Sequence, residues 1–172
     1  MAHQGIAVRR VDLGPHGGMG ANTNWGLRAA RREYILQLQD DRECIAQRTF
    51  LRETVGVLDQ WPDVDLVRFY GTDQLPIHEP RVAMGADCRC LVYPRKQPNG
   101  AYKYSATPHL KRRRFHEEIG WYREGVPMQK SELGLCRKLE RRRGRYVATL
   151  LGAEAGFVHI GADHSHRRPT AR

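Results

Sequence analysis

The sequence lacks any long apolar segment. No part of it approaches the eighteen or so consecutive apolar residues that a membrane-spanning helix requires. The first five residues also lack the basic and apolar regions of a secretory signal. With 172 residues, the chain has the length of one domain with a modest core. We therefore expect a single cytoplasmic domain over residues 1–172, in which residues 164–172 form a basic, flexible tail.

Cysteine is also scarce. The chain has four cysteines, and Cys88 and Cys90 are separated by a single residue, which is closer than the usual spacing of zinc ligands. No second close pair follows, and four cysteines in 172 residues do not make a dense disulfide framework. We expect reduced thiols in a reducing compartment.

No signature of a helix-turn-helix, a zinc finger or an RNA-recognition module accompanies the positive charge of the chain. The formal net charge is +10, and arginines are concentrated in residues 111–114, 141–145 and 167–168. Nucleic-acid-binding proteins share such a charge, but arginines also suit diphosphates or an anionic membrane surface. The simplest interpretation is a solvated basic face. Nucleic acid is therefore not the expected partner, although a basic nucleic-acid-binding domain stays open as an alternative, as does peripheral contact with a membrane.

What the sequence does contain is an alternation of strand-like and helix-like segments, which predicts an α/β domain. The predicted strands are residues 6–11, 34–39, 64–70, 146–150 and 157–160, with a hairpin of residues 91–93 and 101–105. The first predicted helix runs from Asn22 or Thr23, as its cap, to about Arg32. The second covers residues 47–60, with Leu51, Val55 and Leu58 toward the core. The third begins at Ser131, which is its predicted N-cap. The glycines of residues 14–20 predict a loop.

Asp40 and Asp41 directly follow the predicted strand at residues 34–39. Open α/β sheets bind ligands at the carboxyl ends of their strands, and two adjacent carboxylates repel each other unless a cation compensates them. Their hard oxygen atoms suit Mg²⁺ or Mn²⁺ that also binds phosphate. The other interpretation is that the pair begins a turn and caps the following helix, and the pair alone does not decide between the two.

The residues around this pair resemble the family 2 glycosyltransferases, which have the GT-A fold. A glycine-rich turn leads to Asn24-Trp25-Gly26, then to Arg32-Glu33-Tyr34-Ile35 and to Gln39-Asp40-Asp41. These segments are similar to the family's Asn-x-Gly helix, its Gly-Glu-Tyr-Ile-like strand entry and its DxD metal motif, with Gln39 in place of the first aspartate. The resemblance implies that Asp41 holds Mn²⁺ or Mg²⁺, while Asp40 and Asn24 contact a nucleotide-sugar donor.

Later segments extend the resemblance to about Ser165. Residues 116–125 are similar to the family's segment before the catalytic helix, which makes Glu132 the expected general base for the acceptor hydroxyl. Ser131-Glu132 departs from the family's Glu-Asp pair. The alternative is a purely structural role, in which the negative charge of Glu132 is stabilised by the positive N-terminus of the helix. His164 is expected near the metal, since His159 in an apolar strand is better explained as a core residue. The implied activity moves a sugar from a nucleoside diphosphate to a hydroxyl of a glycan or lipid-linked acceptor.

Two strand–helix units that ordinarily begin the family's domain have no counterpart in this chain. The expectation is therefore a GT-A type sheet that is truncated at its N-terminus, with the strand at residues 34–39 left at an unpaired edge. Residues 6–11, a second copy of the chain or a partner subunit would cover that edge. A non-catalytic remnant or subunit with the same fold is the main alternative to an active enzyme.

Overall fold

The computed structural model describes residues 17–45, 50–69, 79–82, 89–92, 104–142, 144, 146–150 and 156–160. Within these ranges the helices are α1 (Gly18–Ala29), α2 (Phe50–Gln60), α3 (Arg114–Ile119) and α4 (Met128–Arg141). The strands are β1 (Tyr34–Gln37), β2 (Arg42–Cys44), β3 (Val64–Arg68), β4 (Glu79–Val82), β5 (Arg89–Val92), β6 (His109–Arg112), β7 (Tyr146–Leu150) and β8 (Phe157–His159).

Six of these strands form one mixed sheet in the order β1-β6-β3-β7-β5-β4. β3 and β7 are parallel, and the other neighbouring pairs are antiparallel. Because β6 is antiparallel to both β1 and β3, the strands β1, β3 and β7 run in the same direction. β2 and β8 form a separate antiparallel pair. The described residues therefore form a mixed α/β fold, as the alternation of segments predicted.

One face of the sheet packs against α2, and we call it the apolar face. Its buried cluster consists of Phe50, Val57, Leu58, Val64, Val67, Phe69, Cys90, Leu110, Ala148 and Phe157. Phe50, Phe69 and Phe157 form a mutual aromatic contact with ring centroids 5.1 to 5.8 Å apart. Such a cluster stabilises the fold through the area that it removes from water.

The opposite face packs against α1, α3 and α4, and we call it the polar face. Its cluster consists of Leu27, Leu66, Tyr104, Phe115, Ile119, Tyr122, Leu135, Cys136, Leu139 and Val147. The two clusters lie on opposite faces because successive side chains of a strand alternate: Ile35 joins this cluster, whereas Tyr34 and Leu36 join the other. Asn24, Lys111 and His116 are also buried on this side.

Helix α1 begins earlier than predicted. It starts at Gly18, inside the segment that was expected to be a loop, and ends at Ala29 rather than near Arg32. A β-carbon at Gly20 would lie 2.7 Å from the carbonyl oxygen of Arg123. This glycine therefore permits close packing of the helix against the loop before α4, which the prediction of a turn did not foresee.

Helix α2 presents a different face from the one predicted. Its buried residues are Phe50, Thr54, Val57 and Leu58. Leu58 agrees with the prediction, but Leu51 is 37% exposed and Val55 is only partly buried. The prediction of Leu51 in the core is wrong because Phe50 takes the inward position in the aromatic contact.

The predicted hairpin of residues 91–93 with 101–105 is also wrong. β5 pairs with β4 on one side and with β7 on the other. Tyr104 and Ser105 lie in an irregular segment that leads into β6, and Tyr104 is fully buried on the polar face. The turn residues near position 99 suggested a hairpin with the following segment, but β5 pairs instead with β4, which precedes it by six residues, and with the distant β7.

Ser131 is not the N-cap of α4. The helix begins at Met128 after Pro127, and Ser131 is buried inside its first turns. Its Oγ accepts a hydrogen bond from the backbone N–H of Arg123 at 2.6 Å. The hydroxyl therefore holds the preceding loop against the helix. The residue at the N-cap position is Pro127, which has no backbone N–H to continue a helix toward the N-terminus.

The solvated basic face predicted for residues 111–114 is wrong for two of its members. Lys111 is fully buried and Arg112 nearly so, whereas Arg113 and Arg114 are exposed. Lys111 and Arg112 belong to β6, which has β1 on one side and β3 on the other. A strand inside a sheet with both faces covered buries whatever side chains it carries.

Other predictions are confirmed or lie beyond what is described. The strands predicted at 34–39, 64–70, 146–150 and 157–160 are β1, β3, β7 and β8, shorter by up to two residues at their ends. Cys44, Cys90 and Cys136 form no disulfide. The predicted strand at 6–11, Cys88 and the tail at 164–172 lie outside the described residues. None of the helices in the described ranges is long and apolar enough to cross a membrane.

Candidate functional site

The carboxyl ends of β1 and β3 and the start of β6 meet at one edge of the sheet. Gln37 of β1 pairs with His109 of β6, which pairs in turn with Arg68 of β3. Asp40 and Asp41 follow β1 by three and four residues, so they leave the sheet at this edge. Ligands of α/β sheets bind at such edges, beyond the carboxyl ends of the strands.

Asp40 and Asp41 form a turn between β1 and β2. The carbonyl oxygen of Asp41 accepts a hydrogen bond from the N–H of Ile160 at 3.0 Å, next to the pairing of β2 with β8. One carboxylate oxygen of Asp41 lies 3.8 Å from Nε of Arg42, and Asp40 is exposed. The turn is present, but a strand follows it rather than a helix, so the pair does not cap α2.

Glu132 lies near the start of α4 and points toward the segment that leads into β6. Its Oε1 accepts a hydrogen bond from the N–H of Ala106 at 2.5 Å. Burial raises the pKa of this carboxyl, while the Ala106 N–H and the positive charge of Arg68 act in the opposite direction. A partly buried carboxylate with a raised pKa is a reasonable proton acceptor. Two residues lie between Ala106 and His109, so Glu132 is bonded to a segment that enters the sheet at the same edge from which Asp40 and Asp41 leave it.

Hydroxyl groups and a buried arginine surround the segment that holds Glu132. Ser105 Oγ lies 2.7 Å from Thr107 Oγ1, and Nη2 of Arg68 donates to Ser105 at 3.4 Å. His109 is fully buried, with Nδ1 2.7 Å from the carbonyl oxygen of Thr107. Burial and the nearby charge of Lys111 lower the pKa of His109 well below its usual value. The histidine at this edge is therefore neutral near pH 7.

Asn24 is buried between α1 and the loop before α4 rather than open to a ligand. Its Nδ2 donates to the carbonyl oxygen of Tyr122 at 2.9 Å and to Glu124 Oε1 at 2.8 Å. Its Oδ1 accepts the N–H of Tyr122 at 3.0 Å. Both amide hydrogens are thus used within the protein, which leaves one lone pair of Oδ1 for any contact with a donor.

A buried polar network lies beneath the edge, on the polar face. Lys111 Nζ lies 2.6 Å from Gln37 Oε1, 2.8 Å from His116 Nε2 and 3.3 Å from Tyr104 Oη. Tyr104 Oη hydrogen-bonds in turn to the hydroxyl of Tyr122. The three groups around Nζ can all accept, which matches the three N–H donors of an ammonium group.

Burial governs the protonation of this network. It lowers the pKa of Lys111 well below its usual value, although the rings of Tyr104, Phe115 and Tyr122 lie 5.7 to 6.0 Å from Nζ and favour its charge. Burial and the charge of Lys111 lower the pKa of His116 to about 3, so its ring is neutral. With Nδ1 donating to the carbonyl oxygen of Gly120 at 3.0 Å, Nε2 is the acceptor for Lys111.

The metal ligands expected from the sequence are only partly placed. Asp41 lies at the edge of the sheet, and His164 lies outside the described residues. The part of the chain that the structure describes contains no group of three or more His, Cys, Asp or Glu side chains able to hold a metal ion together. A metal ion at Asp41 would therefore need further ligands from a bound substrate or from residues outside the described ranges.

A scan against models of known protein families gives no match to the chain, and a comparison with curated protein sequences gives none either. Short motifs in the sequence predicted Asp40, Asp41 and Glu132 as site residues, but they did not predict the network around Lys111. No apolar alternation marks His109-Leu110-Lys111-Arg112 as a strand, so the one available signal was its position between two segments rich in aromatic residues.

Proposed function

We propose that the chain is a glycosyltransferase of the GT-A type, similar to family 2, that moves a sugar from a nucleoside diphosphate to an acceptor hydroxyl. One observation carries this proposal. Asp40-Asp41 and the segment that holds Glu132 stand at the same edge of the sheet, beyond the carboxyl ends of β1 and β3. An acidic pair for a diphosphate and a separate carboxylate for proton transfer are the two parts that such a transfer needs.

The donor would bind beside Asp40 and Asp41. Mg²⁺ is usually held by one or two protein carboxylates together with substrate phosphates, and these two side chains can supply that number. Bound there, Mg²⁺ or Mn²⁺ would offset the negative charge that develops on the departing diphosphate. In this proposal Asp41 is the metal ligand, Asp40 contacts the sugar or ribose, and His164 is a further ligand near the diphosphate.

Glu132 would act on the acceptor. Its Oε1 is fixed by Ala106, and no described residue hydrogen-bonds its Oε2. The acceptor hydroxyl oxygen forms a bond to the anomeric carbon while its proton passes to Glu132, and the bond from that carbon to the diphosphate oxygen breaks. Because burial raises the pKa of Glu132, the carboxylate is a stronger base than an exposed glutamate would be.

The position of β1 leaves one side of the sheet open to a further strand, as far as the described residues go. β1 stands at one end of the strand order, with β6 as its one neighbour among the described residues. A groove of about 430 Å³ runs along it, lined by α1 and by Ile35 to Leu38, and Leu38 is 53% exposed. We propose that a second copy of the chain or a partner subunit completes this edge, since exposed edges favour association. Sedimentation of the isolated chain tests this: a stable monomer with sugar-transfer activity would contradict it.

The second candidate is a non-catalytic subunit with the same fold. The observation that favours it is Asn24, whose amide hydrogens are both used inside the protein. The two candidates differ in donor binding. Isothermal titration with a nucleoside diphosphate and Mn²⁺ should show binding that Asp41→Ala removes, while Glu53→Ala on α2, which also removes one carboxylate, should leave it unchanged. Equal binding by wild type and Asp41→Ala would exclude the metal site. Salt-dependent binding to random DNA would instead support a nucleic-acid-binding domain.

A further inference from the structure

Arginine side chains line a pocket at the opposite edge of the sheet from Asp40 and Asp41. The pocket has a volume of about 310 Å³ and is lined by Arg31, Glu33, Arg112, Arg113 and Arg114. It lies where the chain enters β1 and leaves β6. The pairing of Tyr34 with Arg112, and a 2.7 Å hydrogen bond from the N–H of Arg113 to the carbonyl oxygen of Glu33, hold the two segments together.

Arg112 is the buried floor of this pocket, with only 8% of its side chain exposed. Nη1 donates to the Tyr34 hydroxyl at 3.2 Å and lies 3.6 Å from Glu33 Oε1, and Nη2 donates to the carbonyl oxygen of Leu58. Nε is buried and has no hydrogen-bond partner among the described residues. A buried N–H of a charged group without an acceptor is costly, so the protein itself does not satisfy all the donors of Arg112.

The other three arginines are held only weakly by the protein. Arg31 is exposed and forms no ion pair with any described residue. Arg113 lies 3.3 Å from Glu117, and Arg114 lies 3.6 Å from Glu118 and 3.4 Å from the carbonyl oxygen of Pro62. Exposed pairs of this kind contribute little free energy, so these guanidinium groups can turn toward an anion.

Glu33 is the one carboxylate that lines the pocket. It is 72% exposed and contacts Arg112 only at its rim. Four guanidinium groups and one carboxylate line the pocket, and the carboxylates of Glu117 and Glu118 lie outside its lining, so the lining itself has an excess of positive charge. A glutamate so exposed can move into solvent when a stronger anion takes its place beside Arg112.

We propose that this pocket binds a phosphate-type anion. Guanidinium groups present planar pairs of N–H donors that match phosphate oxygens and form short, charge-assisted hydrogen bonds. The volume is at the lower end of the range for small-molecule sites, which suits a phosphate or diphosphate rather than a larger ligand. The phosphate can come from a free diphosphate or from the headgroup of a phospholipid. Because the pocket lies at the other edge of the sheet, its function does not depend on the proposed donor site.

Titration with inorganic pyrophosphate, without divalent metal, tests the proposal. The double variant Arg31→Ala with Arg114→Ala should bind pyrophosphate at least about tenfold more weakly than wild type. The matched control removes the same charge from exposed positions on α2 and α4, as Arg52→Ala with Arg137→Ala, and should change affinity by no more than about twofold. Glu33→Gln should tighten binding, whereas Glu53→Gln on α2 should not.

Two results would overturn the proposal: equal pyrophosphate affinity of wild type and the Arg31, Arg114 variant, or an equal loss in both double variants, which would indicate diffuse charge. Far-UV circular dichroism confirms that the variants are folded. Co-sedimentation with phosphatidylcholine vesicles, with and without phosphatidylserine, then separates the sources. Vesicle binding that the Arg31, Arg114 variant loses assigns the headgroup, and pyrophosphate binding without vesicle binding assigns the free anion.

Discussion

On the face that α2 covers, three phenylalanine rings lie in mutual contact within an apolar cluster, and Thr54 and Arg112 are buried beside it. The face that α1, α3 and α4 cover instead encloses a connected group of a lysine, a histidine and two tyrosine hydroxyls, together with a buried asparagine. Apolar burial stabilises a fold without requiring any fixed orientation of polar groups. Buried polar groups require each partner in place. The candidate catalytic residue, Glu132, belongs to a helix of the second face. We infer that the apolar face supplies stability and the polar face holds the site in a fixed geometry.

The largest expected effect is on catalysis and comes from the polar face. Glu132→Gln should lower the rate of sugar transfer by roughly two to four orders of magnitude, the usual contribution of a general base. Donor binding and the free energy of unfolding should change little. The rate of transfer is measured beside that of Glu140→Gln, a control on the same helix. A near-normal rate in Glu132→Gln would leave this residue with a structural role only.

On the apolar face the largest effect should be on stability. Phe69 is buried among Phe50 and Phe157, and Phe69→Ala should lower the free energy of unfolding by about 3–5 kcal/mol through lost contacts and a cavity. Urea denaturation measures this, with Phe69→Leu as a smaller change of the same kind. If Phe69→Ala cost less than about 1 kcal/mol, the aromatic contact would not be part of a packed core.

Between pH 7.5 and 5, acid should destabilise the polar face through its buried histidines. The pKa of His116 is about 3 in the folded protein and about 6.5 when unfolded, so between these values the unfolded state binds more protons. Stability is therefore full above pH 6.5 and is lost as the pH falls toward 3, and His116 should account for about 2 kcal/mol between pH 7.5 and 5. The lowered pKa of His109 acts in the same direction.

Urea denaturation at the two pH values measures the loss. His116→Gln should show a smaller loss than wild type, because the glutamine does not titrate. Val57→Ala, on the apolar face, should lower stability equally at both pH values. An equal loss on acidification in wild type and His116→Gln would show that His116 is not buried as a neutral ring.

The smallest effect is expected at Leu51, in comparison with Leu58 on the same helix. Leu51 is partly exposed and Leu58 is fully buried on α2. Leu51→Ala should therefore change the free energy of unfolding by no more than about 0.5 kcal/mol, whereas Leu58→Ala should cost about 2–5 kcal/mol. Thermal or urea denaturation compares the two. Equal costs would restore the orientation of α2 that its sequence pattern predicted.

Local patterns predicted the apolar face better than the polar face. β3 and β7 were predicted because runs such as Val64 to Val67 carry residues that favour strands. Lys111 was wrongly predicted to be solvated, because its burial depends on residues far from it in the sequence. It pairs with Ile35 of β1, 76 residues earlier, and its acceptors come from three separate segments. Short motifs predicted Asp40 and Asp41 at the carboxyl end of a strand and Glu132 near the start of a helix, but no motif revealed that Asn24 holds α1 to residues 122 and 124.

The contact of Asn24 with Tyr122 spans 98 residues of chain, and this span has a consequence for synthesis. At roughly 5–20 residues per second, a ribosome needs about 5 to 20 s to proceed from one partner to the other. During that time α1 and β1 have emerged, but neither β6 nor the loop that fixes α1 yet exists. The early part of the chain therefore keeps its apolar surface exposed during this time, and it can bind chaperones or pair incorrectly with other segments. Chains released after truncation before residue 104 should be cleaved by protease within α1, whereas the full chain, in which Tyr122 can contact Asn24, should resist.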